Sequence, residues 1–208
     1  VCACSTGEEV YSVAILMDQY VKKSKKNLDI KIFASDIDEV SLEIASGNSY
    51  PASFRKDIPE NLFNEYFIQD GQRISVVPHI RKQIVFAKHN VIKTPPFIKN
   101  DLICCRNMLI YMNSLLQHNI LTTFHFSLNQ DGYLFLGPSE TIAPIKDGVK
   151  EISSKWKIFK KTGVIPRATE FVGAERGGIQ RQFPVRTIKK PKKTSEELFQ
   201  QFLMEQYG

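Results

Sequence analysis

The sequence predicts an α/β domain of the doubly wound type, on three observations. The first 47 residues switch period repeatedly: a strand end, a helical pattern, a β-branched run and a second helical pattern. The turn after the strand end, Cys4-Ser5-Thr6-Gly7, is made of small residues, as a βα turn that approaches a ligand closely requires. An acid, Asp36, closes the second strand 29 residues after Gly7, where nucleoside-binding sheets place the acceptor for ribose hydroxyls.

Each element follows from its local pattern. In "STGEEVYSVAILMDQYVKK" the residues Val10, Val13, Ala14, Leu16, Met17 and Tyr20 fall at helical spacing. Ser5 or Thr6 is the expected N-cap, Glu8 and Glu9 occupy the first turn, and Lys22 and Lys23 suit the C-terminal end. "DIKIFASDID" reads as a buried parallel strand, and "EVSLEIASG" as a helix ending at Gly47. Residues 50–71 read as irregular to helical, with "PENLFNEYF" the best helical piece. Two strand patterns, 73–77 and 83–87, flank Pro78; they form an antiparallel excursion or one more strand of the sheet. A buried strand over 101–105, an amphipathic helix over "NSLLQHNILTTFHFSL", a turn and strand in "DGYLFLG" and a final strand in "WKIFKK" complete the domain. Residues 162–194 lose the period; "SEELFQQFLMEQYG" regains a helical pattern with Ser195 as its cap.

Composition narrows the function classes. No apolar run approaches ~18 residues, so no membrane insertion is expected. The net charge of +6 is local: residues 160–193 carry +8, residues 194–208 carry −3, and residues 1–159 carry +1. The basic character therefore describes a solvated linker punctuated by Pro and Gly, not a nucleic-acid-binding domain. Cys2, Cys4, Cys104 and Cys105 form no CxxC pair, so they read as reduced thiols near strand ends in a cytoplasmic protein, with no metal site.

The first turn also discriminates between ligands. Phosphate binders repeat glycine there and keep the helix N-terminus free of acid. Here a single glycine precedes Glu8-Glu9, which would repel a pyrophosphate but hold an ammonium. This disfavours a nicotinamide-dependent oxidoreductase. Asp36 adds an acceptor for ribose hydroxyls, with Asp38 as neighbouring candidate or cap of the next helix. An adenosine ligand with a cationic amino-acid end and no phosphate is S-adenosylmethionine.

The segments "ACSTGEEVYS", "FASDIDE", "FAKHNVI", "DLICCRNMLIYM" and "GYLFLGPSET" resemble, in order and spacing, the CheR family of chemotaxis methyltransferases over residues 1–161. The resemblance implies a Rossmann-like S-adenosylmethionine-dependent methyltransferase sheet with helices on both faces and a small antiparallel excursion. It implies that Glu8 contacts the methionine end of the cofactor, Asp36 the ribose, and Asn90 and Val91 the adenine. Arg106 and Asn107 would line the cofactor and substrate pocket, and Tyr111 would sit near the transferred methyl. Arg106 and Tyr111 are thus the catalytic candidates. The implied reaction esterifies glutamate side chains of a chemoreceptor or other signalling protein; a catalytically silent cofactor-binding regulatory module is the alternative.

Two departures from the family pattern stand out. CheR proteins carry a helical N-terminal domain and a full first strand before "ACSTGEE", so the domain is expected to be N-terminally truncated. The segment "FIQDGQRISVVPHIRKQIVF" is shorter than the subdomain that captures a receptor peptide in some members, so peptide capture is not expected. Residues 162–194 followed by 195–208 resemble the stretch of CheB/CheR-type fusion proteins that leads to a sensor-like domain.

Overall fold

The computed structural model describes residues 1–25 and 28–165, so the expected basic linker beyond 165 and the helix over 195–208 lie outside the described residues. Helix α1 spans Glu8–Ser24 and strand β1 Ile32–Asp36. Helix α2 is Glu39–Gly47, strand β2 Tyr50–Pro51, helix α3 Glu60–Tyr66, and strands β3 and β4 Phe67–Asp70 and Arg73–Val76. The one-turn helix α4 (Pro78–Arg81) leads to strand β5, Ile84–Lys88. Strand β6 (Asn100–Cys105), helix α5 (Ser114–Ser127) and strands β7, β8 and β9 (Leu128–Leu136, Val149–Ser153, Ile158–Lys161) follow.

The main sheet is assembled around the chain's first residues. Cys2 bridges Ser35 of β1 on one side and Cys105 of β6 on the other, both in parallel. Its N–H donates to Cys104 O at 2.8 Å, while Ser35 N donates to Val1 O at 2.9 Å and Cys4 N to Ser35 O at 3.0 Å. The resulting order is β5, β1, the 1–3 segment, β6, β7, β9, β8. Pairing is parallel through β7 and antiparallel for β9 and β8. Alternation along the short central segment sends Val1 to one apolar cluster, with α1 and α2, and Cys2 to the other, with α5. Helices therefore cover both faces, as a mostly parallel sheet demands.

The two strand patterns around Pro78 part company. Strand β5 joins the main sheet beside β1, whereas β4 pairs antiparallel with both β2 and β3 in a separate three-stranded sheet. The hairpin β3–β4 was not expected from the mostly exposed Phe67–Asp70, although Asp70-Gly71 is a hairpin turn signal; Gly71 is left-handed at φ 55°. Strand β8 was also missed, because its residues are mostly exposed and only pairing with β9 makes them a strand.

Helix α1 differs from expectation on its buried face and its cap. Val10, Tyr11, Ala14 and Ile15 are buried, whereas Leu16 and Tyr20 are 62% and 54% exposed. The apolar stripe is rotated toward Tyr11, whose ring meets Tyr50 edge-on at 6.0 Å and whose hydroxyl donates to Ala45 O at 2.8 Å. A buried tyrosine needs such a partner, and α2 supplies it. The N-cap is Gly7, not Ser5 or Thr6. Helix α2 ends at Gly47 as expected; its left-handed C-cap is Asn48 (φ 50°), whose amide brackets β4 through Val76 O at 2.8 Å and Val76 N at 3.0 Å.

On the far face, the ring of His125 at the end of α5 is buried against Gly148 O at 3.1 Å, and Lys161 donates to His125 O and Leu128 O, each at 2.8 Å. Burial pushes the histidine pKa below its ordinary value, with the Lys161 charge adding to the effect. The unfolded chain then binds a proton near pH ~6.5 that the folded chain resists. Stability is accordingly present above that pH and lost as pH falls toward the depressed folded value. Urea melts at pH 7.5 and 5.5 are expected to show this loss, with a smaller slope in His125→Gln.

Candidate functional site

The C-terminal ends of the 1–3 segment, β1, β5, β6 and β7 lie side by side, and the loops leaving them converge where the strand order reverses. That edge is where open α/β sheets bind ligands.

The first loop turns sharply because alternate residues are left-handed: Ala3 at φ 52°, Ser5 at 47° and Gly7 at 95°. Two of these are not glycine, a conformation worth roughly 1–2 kcal/mol of strain each. Gly7 is needed for space as well, since a Cβ there would lie 2.9 Å from Ala45 Cβ and 3.0 Å from Tyr50 Oη. Asp36 holds this loop: its Oδ2 accepts from Ser5 N at 2.8 Å, and its Oδ1 from Asp38 N at 3.0 Å. Asp38 is the cap of α2, accepting from Val40 N, Ser41 N and the Ser41 hydroxyl.

The two glutamates of the loop diverge. Glu8 is exposed, its carboxylate accepting from Thr6 Oγ1 at 2.7–2.8 Å. Glu9 turns across the edge and pairs with Arg106, just past β6, at 3.1 Å. The Arg106 guanidinium also lies 5.0 Å from the centre of the Phe135 ring. Within this pair Glu9 Oε1 and Arg106 Nε are buried and unpartnered. Glu9 was not among the expected site residues; its place one step beyond Glu8 was visible, its ion pair across 97 residues was not.

The remaining candidates are placed as follows. Asn90 folds the loop after β5, its Oδ1 accepting from Ile92 N at 3.0 Å and Lys93 N at 3.2 Å. His89 N donates to Asp36 O at 2.9 Å, which ties this loop to β1. Val91 packs against the α5-side core. Asn107 is left-handed at φ 58°, and Tyr111, at the end of a short 3-10 turn, is 82% exposed. The structure thus joins Glu9 to Arg106 and Asp36 to the first loop, and leaves Tyr111 projecting into solvent. Glu140 was missed altogether: at 5% exposure it accepts from Met108 N, Leu109 N and Gly137 N, an assignment no local spacing reveals.

The thiols take no part. Burial pushes Cys4 and Cys104 up to about 12, which keeps them protonated and inert. Among the described residues no cluster of His, Cys, Asp and Glu is placed to hold a metal, and no helix is long and apolar enough to cross a membrane.

The model of the CheR methyltransferase, SAM binding domain, matches residues 1–158. The chain belongs to the CheR methyltransferase family. Its cofactor is accordingly S-adenosylmethionine. The chain is 34% identical over 142 residues to a chemotaxis protein methyltransferase of Borreliella burgdorferi, covering 67% of this chain and 50% of that protein. It is 36% identical over 141 residues to one of Listeria innocua, covering 67% and 52%. An uncharacterized 104.1 kDa protein of Rhodobacter capsulatus is 34% identical over 157 residues, 76% of this chain and 16% of that protein. The chain spans about half the length of the two named methyltransferases.

The residues fit that cofactor on physical grounds. An exposed carboxylate at Glu8, an unpartnered acceptor on Glu9 and an unpartnered donor on Arg106 complement an amino-acid group with its ammonium and carboxylate. Gly7→Ala is expected to destabilise the domain by about 2–4 kcal/mol, from strain at positive φ plus overpacking against α2, as read by urea denaturation.

Proposed function

We propose that the domain transfers a methyl group from S-adenosylmethionine to glutamate side chains of a chemoreceptor or related signalling protein, forming glutamate methyl esters. The observation that carries this reading is the edge on which Asp36 braces the first loop while Glu8 and the Glu9–Arg106 pair flank it. Glu8 takes the ammonium end of the cofactor, Asp36 the ribose hydroxyls, and Asn90 and Val91 the adenine. Arg106 and Asn107 line the pocket between cofactor and acceptor, and Tyr111 swings over the reacting methyl.

The bound cofactor supplies an electrophilic methyl carried on a sulfonium. The acceptor needs no general base, because a glutamate with a pKa of ~4.3 is ionised at neutral pH. What the chain must do is align and desolvate. Orientation of two bound reactants supplies up to roughly 7–11 kcal/mol. Arg106 attracts the acceptor carboxylate into the pocket, while Glu9 already balances part of its charge, so the nucleophile is held without being tied up in a full ion pair. Acceptor identity and the rest of the protein are part of this proposal, since the relatives extend well beyond the matched region.

A second reading, a regulatory module that binds the cofactor without turnover, is favoured by the 82% exposure of Tyr111. Calorimetry with S-adenosylhomocysteine and a methyl-transfer assay scored by base-labile methanol release separate the two. Binding with turnover is expected; binding without turnover supports the module, and preference for NADH sinks both. Asp36→Asn is expected to weaken S-adenosylhomocysteine binding roughly 10–150-fold, the worth of a charge-assisted hydrogen bond.

A further inference from the structure

The segment between β6 and α5, residues 106–113, carries three of the candidates above but almost no regular structure of its own. Its only element is the 3-10 turn Leu109–Tyr111, and that turn has no local side-chain cap. Its backbone is nevertheless bonded on both sides by side chains from elsewhere. Glu140 Oε1 accepts from Met108 N at 3.0 Å and from Leu109 N at 2.8 Å, and Oε2 accepts from Gly137 N at 2.6 Å. From α5, Gln117 Nε2 donates to Leu109 O and Met112 O, each at 3.0 Å.

The carboxylate is suited to this task in a way a neutral side chain is not. Three backbone N–H groups converge on it, and an ionised carboxylate presents only acceptors. It is 5% exposed, so an N–H left without its partner there stays without one. The turn holding Glu140 is closed by its own N–H on Gly137 O at 3.1 Å. A Cβ on Gly137 would stand 2.9 Å from Asn107 N, so the β7 loop lies directly against the strained residue of the β6 loop.

We propose that Glu140, with Gln117 opposite, is a positioning residue: a two-sided clamp that sets the backbone of residues 106–112 and so aims Arg106, Asn107 and Tyr111. Glu140 takes the N–H groups and Gln117 the carbonyls. The proposal rests on the cofactor reading above for its functional consequence, and on the hydrogen bonds alone for its structural one.

The test uses Glu140→Gln, which keeps shape and size but turns an amide NH2 against at least one of the converging N–H groups. Two readouts are needed. Hydrogen exchange at Met108 and Leu109 is expected to speed up selectively, with the amides of β1 and β7 unchanged. Calorimetric affinity for S-adenosylhomocysteine is expected to fall about tenfold. In an Asn107→Ala background Glu140→Gln should cost much less, because its effect passes through that loop. Unchanged exchange at Met108 and Leu109 overturns the clamp. Faster exchange with unaltered affinity, or strictly additive losses with Asn107→Ala, overturns its positioning role. If Glu140→Gln does not fold, Gln117→Met, which deletes the opposite donor, must reproduce the local exchange and affinity losses or the proposal fails. If the unsubstituted protein binds no S-adenosylhomocysteine, the cofactor reading falls, while the exchange readout still decides the clamp.

Discussion

The pairing of Cys2 between β1 and β6 is the constraint on which the rest of the structure depends. Without it the strands of the main sheet fall into two groups, β1 with β5 and β6 with β7, β9 and β8. Through backbone hydrogen bonds from Cys2 to Cys104 and between Ser35 and Val1, three residues join those groups into one sheet with two apolar faces. The same pairing sets which loops are neighbours. The turn after Cys2 must leave between the ends of β1 and β6, so Asp36 and Arg106 come to flank it from either side. Backbone pairing thus creates the site before any side chain contributes.

At that edge polar side chains mostly bond to the backbone. Asp36 accepts from Ser5 and Asp38, Asp38 from the start of α2, Asn90 from Ile92 and Lys93, and Glu140 from Met108, Leu109 and Gly137. Loops that approach a ligand cannot form ladders or helices, so their N–H groups need partners from side chains. Carboxylates and amides at strand ends meet that need and still keep free lone pairs, which lets one group brace a loop and face a ligand together. Glu9 and Arg106 differ: they face each other, and each keeps a buried atom unpartnered. In the proposed reading, this incomplete pair, at the point where the strand order reverses, is where a polar group of the cofactor is received.

Much of the fold was legible because its signals are local. The period of Ile32–Asp36, the Asp38 cap and the acidic and basic ends of α1 all operate within a few residues. The misses share the opposite character. The buried face of α1 turned toward Tyr11 because Ala45, on another helix, offered its carbonyl. Strands β3 and β8 carry little apolar pattern and exist through their partners β4 and β9. Ser5 and Thr6 had the chemistry of caps, but the tight approach of α2 to Gly7 gave them other work.

The sequence by itself determined that this is a doubly wound α/β domain whose first turn has a single glycine followed by two acids, and its motifs sufficed to place it in its family. Those are properties of short windows: the period of a strand, the charge of a turn, the spacing of residues that a parallel sheet returns to one edge. Only the tertiary structure decided that Glu8 faces solvent while Glu9 reaches Arg106, that Asp36 carries the first loop, and that Glu140 holds the second. Each of these is a contact between segments distant in the chain, set by sheet order and register, and hydrogen-bond partners of that kind leave no periodic trace in the residues that make them.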